Sequence, residues 1–168
     1  MDRSERLLVA VDDSAASNRA VRYVGAILGE SHGFTVFLLH MMGPLPARLR
    51  ESRGAETPEG EEKVEEALVK KQNQEIRQSA AEARPILEKA KAVLTRAGVP
   101  CEAIERDCPV LVNREDLVTD ILREARDHDC ATVVIGREPF VGLKEMFVGH
   151  IADDLIREGQ RLSFWVVE

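Results

Sequence analysis

Two short runs, Leu7-Leu8-Val9-Ala10-Val11 and Ala131-Thr132-Val133-Val134-Ile135, constrain the fold of this chain more than any other feature. Each has strand length, and neither alternates apolar with polar residues as a half-exposed strand does, so each predicts a strand buried on both faces. Such strands belong to parallel sheets covered by helices. The intervening sequence agrees. After Asp12-Asp13-Ser14, residues suited to turns and helix caps, Val21, Val24, Ile27 and Leu28 recur at helical spacing up to Gly29. Phe34 to Leu39 predicts a second strand, Val99 to Arg106 a third and more peripheral one, and Leu162 to Val167 a last one. Asn113 with Asp116 marks a helix start followed by Leu117, Val118, Ile121, Leu122 and Ala125. Ile151, Ala152, Leu155 and Ile156 predict a short helix stopped by Gly159.

From Glu61 to Ala97 the apolar positions, among them Val64, Leu68, Ile76, Ala83, Leu87 and Leu94, fall on one helical face. Pro85 lies inside this stretch and cannot donate to the helical ladder, which predicts a kink or a break between two helices. Residues 43–62 hold three prolines and three glycines and few large apolar groups, so they read as an exposed loop. Too little chain precedes that loop for a domain of its own. The expectation is one α/β domain over 1–168, a doubly wound, Rossmann-like five-stranded parallel sheet with helices on both faces.

Composition limits what such a domain does. Aromatics are 4% of residues, so the core is aliphatic. The formal charge of −7 disfavours nucleic acid or anionic lipid as a partner, since clustered Lys and Arg supply most of that affinity. No apolar run approaches bilayer length and the first residues lack a secretory pattern, so no membrane insertion and a cytoplasmic location are expected. Cys101, Cys108 and Cys130 have no zinc-site spacing and read as reduced structural thiols. His32, His40 and His128 have no ligand-like spacing, and no metal site is expected. Neither a P-loop, nor Gly-x-Ser-x-Gly, nor His-Glu-x-x-His occurs, and nothing nominates a catalytic nucleophile.

In doubly wound sheets ligands bind beyond the carboxyl ends of the central strands, where the strand order reverses. That directs attention to Asp12-Asp13-Ser14 and to Gly136-Arg137-Glu138-Pro139-Phe140-Val141-Gly142-Leu143-Lys144-Glu145-Met146-Phe147-Val148-Gly149-His150-Ile151. The second segment and the opening Val9-Ala10-Val11-Asp12-Asp13-Ser14 resemble the universal stress protein family over nearly the whole chain. The family's nucleotide signature, Gly, two residues, Gly, nine residues, Gly and Ser or Thr, lies on it without gaps, starting at Gly136 and reaching its third glycine at Gly149. The resemblance implies the adenine nucleotide alpha hydrolase-like strand order 3-2-1-4-5, a homodimer joined through the last strands, and, in one subgroup, ATP across the loops after strands one and four. It carries over Asp12 for ribose, backbone groups near Met41 and Ile135 for the base, and Gly136, Arg137, Gly149, His150 and Ile151 around the phosphates.

Two positions depart from that signature where a phosphate would feel them. Pro139 stands at the second glycine and offers neither a backbone N–H nor positive φ. His150 stands at the Ser or Thr and is a poorer helix cap. Asp13 adds negative charge beside the phosphates, whereas Arg137 and Lys144 offer compensating charge, and the amides opening the last helix remain. Each lost phosphate contact is worth about 1.5 to 3 kcal/mol, so two lost contacts weaken ATP by roughly two decades. The expectation is a non-catalytic stress-response homodimer with weakened or altered adenine nucleotide binding, acting through an unknown protein partner. No cofactor is certain, and ATP or AMP with Mg is the candidate. The alternative is an ATP-binding member with a rearranged phosphate loop, a slow ATPase. As a plain turn or cap residue, Asp12 has an equally good account.

Overall fold

In the computed structural model, residues 6–29, 31, 33–50, 58–111, 117–137 and 151–168 are described; Asn113, Asp116, Pro139, Lys144, Gly149 and His150 lie outside them. The element order is β1 (Arg6–Ala10), α1 (Ala15–Leu28), β2 (Thr35–Leu39), α2 (Ala47–Arg50), α3 (Pro58–Arg96), a 3-10 turn at Cys101–Ala103, β3 (Ile104–Asp107), α4 (Leu117–Asp127), β4 (Thr132–Gly136), α5 (Ile151–Glu158) and β5 (Ser163–Val167). All pairings are parallel and the strand order is β3-β2-β1-β4-β5, so the doubly wound expectation holds. β1 is central, with Leu8 beside Phe37 of β2 on one side and Val133 of β4 on the other.

Alternation along β1 splits the core into two layers. Leu7 and Val9 pack with Val21 and Val24 of α1 and with Leu87 and Leu94 of α3. Leu8 faces the opposite way, into Phe37, Ile121 and Leu122 of α4 and Leu155 of α5. Leu8 and Val9 are both fully buried, which is why this stretch carries no polar position. Each buried aliphatic side chain contributes about 1.5 to 3 kcal/mol of transfer free energy. Phe164 and Trp165 of β5 follow the same alternation, Phe164 packing on the α4 layer and Trp165 on the α1 layer, where its ring meets Tyr23 edge-on at 6.2 Å.

Three sequence expectations are corrected. The loop expected over 43–62 is interrupted by α2, whose Leu49 is buried, and α3 already begins at Pro58. A proline in the first turn costs no helical hydrogen bond, so Pro58, one of the three prolines of that stretch, starts the helix. Pro85 does not divide two helices, because α3 is continuous from 58 to 96. Pro85 is exposed, leaving water to satisfy the freed carbonyl, while Ala83, Leu87 and Ala90 hold the helix against the sheet. The third strand begins at Ile104 rather than Val99. Val99 is buried as part of the helix cap: Gly98 has φ +104°, its amide donates to the Thr95 carbonyl, and the Val99 amide donates to Leu94.

All three cysteines are free, and only Cys101 is exposed. Burial pushes the Cys130 thiol up, and the Cys108 thiol is raised by burial and then by Asp107. A raised thiol pKa means less thiolate at neutral pH and slower attack on a disulfide reagent. With Ellman's reagent at pH 7.5, Cys101 reacts first, Cys108 slowly, and Cys130 only on unfolding; a fast phase that survives Cys101→Ser contradicts this order.

Candidate functional site

The site grows out of the point where the sheet order reverses. β1 and β4 are neighbours, but the helices that follow them, α1 and α5, lie on opposite faces of the sheet, an arrangement that opens a crevice at the strands' carboxyl ends. A cavity of about 440 Å³ occupies it. Asp12, Met41, Ile135, Gly136, Arg137 and Ile151, predicted from separate parts of the sequence, all line it. Gly149 and His150 lie outside the described residues.

The β1 loop is tightly ordered by its own short polar side chains. Asp12 Oδ1 accepts the Ser14 amide at 2.9 Å, an Asx turn, and Ser14 Oγ accepts the Ser17 amide at 3.0 Å as the N-cap of α1. Ser17 Oγ in turn accepts the Asp12 amide at 3.0 Å. The cap is therefore Ser14, and Asp12 is the turn residue whose carboxylate stays exposed at the cavity rim.

The β4 side explains Gly136. A Cβ there would stand 2.3 Å from the backbone carbon and oxygen of Ala16, so only glycine lets β4 end directly against the first turn of α1. Arg137 then turns outward. Its Nε donates to Glu168 Oε1 at 2.9 Å, its Nη2 contacts the same oxygen, and Nη1 lies 3.9 Å from Asp153. Its carbonyl accepts from Arg19 Nη2 at 3.3 Å. The cation expected to compensate a phosphate is thus held between two carboxylates.

Sequence reasoning missed His40 and the aliphatic floor. His40 Nδ1 lies 2.8 Å from the Val11 carbonyl, which can only accept. The proton is therefore on Nδ1, and in the neutral ring Nε2 is an acceptor. Leu39, Leu117 and Ile121 also line the cavity. The signal for His40 was its position, immediately after the second buried strand and so at the carboxyl edge of the sheet.

Among the described residues no helix is long and apolar enough to cross a membrane. The universal stress protein family model matches residues 4–161. No curated protein matches the sequence. Solved structures share the fold at low identity. A universal stress protein in complex with cAMP is 17% identical with TM-score 0.61, the match covering 98% of this chain and 96% of that one. A hypothetical protein whose biochemical function was assigned from its structure is 20% identical with TM-score 0.63, covering 99% and 96%. The universal stress protein from Archaeoglobus fulgidus in complex with dAMP is 17% identical with TM-score 0.56, covering 98% of each. With a family model matching residues 4–161, which contain β1 to β4, and a sheet in the order 3-2-1-4-5, this chain belongs to the universal stress protein family.

Proposed function

We propose that the crevice between the β1 and β4 loops binds an adenine nucleotide through base and ribose while holding its phosphates weakly, and that the protein is a non-catalytic stress-response homodimer acting through a protein partner. The observation that carries the reading is the gathering of Asp12, Met41, Ile135, Gly136, Arg137 and Ile151 around one cavity with an aliphatic floor. A flat apolar base suits Met41, Ile135 and Ile151, and the His40 Nε2 acceptor matches an exocyclic amine. Asp12 supplies an acceptor for ribose hydroxyls. Arg137, already engaged by Glu168, supports the weak grip on phosphate, as do Pro139 and His150 in the signature.

Two related structures, with cAMP and with dAMP, support an adenine ligand as the class to test. Calorimetric titration with AMP is expected to give one site per chain, and Asp12→Asn to weaken it about tenfold, the cost of a charge-assisted hydrogen bond. Equal binding by wild type and variant removes Asp12 from the site. The same preparation is expected to release no phosphate from ATP with Mg.

The homodimer is assigned to β5. This edge strand has half-buried residues at Phe164, Trp165, Val166 and Val167 and one unpaired side, which natural sheets cover. Sedimentation at micromolar concentration is expected to show a dimer, and a species of 18.7 kDa alone contradicts it.

A further inference from the structure

Away from the crevice, at the β3 edge of the sheet, the side chains of Asp107, Glu124 and His128 converge. Asp107 ends β3, Glu124 lies in the last turn of α4, and His128 follows directly after that helix, its amide still donating to the Glu124 carbonyl at 3.0 Å, so that the two share one stripe. One ligand atom from each, a carboxylate oxygen or an imidazole nitrogen, lies within 4.8 Å of the others. His128 has no ligand-like spacing in the sequence, and Asp107 reaches it only through the fold, from β3.

Each of the three is oriented by a contact outside the cluster. The His128 ring stacks on Phe37 with centroids 3.9 Å apart and planes at 22°. Its Nε2 stands 3.7 Å from Glu124 Oε2, while Glu124 Oε1 faces Arg123 Nη2 at 3.5 Å. Asp107 Oδ1 accepts the Cys108 amide at 2.7 Å. Such outer contacts are what hold metal ligands in place. A second observation comes from the same stripe one turn earlier. Asp120 is buried, with a side chain only 3% exposed; Arg123 contacts its Oδ1 at 2.6 Å, and its Oδ2 has no hydrogen-bond partner. A buried carboxylate oxygen left without a donor is costly, and this one lies one helical turn before Glu124.

We propose that Asp107, Glu124 and His128 form a binding site for a divalent first-row transition cation, tying the end of β3 to α4. Two carboxylate oxygens and one imidazole nitrogen suit Zn²⁺ and its neighbours better than Ca²⁺ or Mg²⁺, which favour all-oxygen shells. Water completes the coordination. The site is separate from the nucleotide crevice, since none of its three ligands lines that cavity.

Calorimetric titration of the chelator-treated protein with ZnCl₂ tests it. Wild type is expected to bind one Zn²⁺ per chain, and His128→Gln and Asp107→Asn each to weaken that binding by about tenfold or more. Asp107 is exposed, so its substitution leaves the fold intact, which circular dichroism checks. Cys101→Ser, removing the exposed thiol, is expected to bind as wild type does. The absence of a saturable site, retention of full affinity by either ligand variant, or loss of the site in Cys101→Ser overturns the assignment.

Discussion

Gly136→Ala is expected to destabilise the protein by about 3 kcal/mol, at the upper end of what overpacking costs, because the added methyl meets backbone rather than a movable side chain. Its Cβ would stand 2.3 Å from the Ala16 carbon and oxygen and 2.6 Å from the Ser17 amide nitrogen. Relief requires moving the first turn of α1 off the end of β4. That shift also disturbs the Ser14 cap and the Asp12 turn, which share the Ser17 amide and hydroxyl. Urea unfolding measures the first effect and AMP titration the second, with weaker binding expected in whatever fraction remains folded. A loss below about 0.5 kcal/mol, the range of an ordinary surface substitution, shows that β4 and α1 are not in the contact described.

Pro139→Gly combined with His150→Ser is expected to raise ATP affinity by about two decades, restoring two phosphate contacts of about 1.5 to 3 kcal/mol each. The glycine regains a backbone donor and freedom in φ, and the serine regains a hydroxyl suited to the start of α5. AMP is expected to gain less than ATP, because the longer phosphate chain makes more use of the restored loop. An unchanged ATP affinity in the double variant places the weakness elsewhere. The Arg137 pairing with Glu168 and Asp153 is then the next cause to test, through Glu168→Gln.

The parts of the fold legible in the sequence are those in which a single physical demand sets the residue pattern. β1, β2 and β4 are buried on both faces, so nearly every position in them is apolar and their order and type follow directly. β5 is legible for the same reason at half strength. The third strand was displaced because Val99 satisfies two different demands with one side chain: it is apolar and buried, but as the residue beyond the Gly98 cap. Pro58 falls in a stretch that reads as loop, and Pro85 allows a break that α3 does not have, because a proline's meaning depends on where the helix begins and which side faces water, neither of which is local information.

The candidate site follows the same division. Asp12, Gly136 and Ile151 flank the ends of recognisable strands or open a recognisable helix, and the rule that ligands sit at the reversal of strand order brings them together. Their partners were hidden by tertiary pairing. Nothing near Arg137 in sequence announces Glu168, which reaches it only because β5 runs beside β4 in register, Gly136 opposite Val167. Nothing near His128 announces Asp107, which arrives from the far edge of the sheet. His40 was passed over as an isolated histidine, although the Val11 carbonyl fixes its tautomer.

The central claim is that this crevice recognises adenosine and not its phosphates, and a calorimetric series with adenosine, AMP and ATP with Mg on the wild-type protein tests it most directly. One site per chain is expected for all three, with affinities within about tenfold of one another, a spread of about 1.4 kcal/mol. ATP bound at submicromolar strength with adenosine weaker by about a hundredfold or more would contradict it, as would the binding of none of the three.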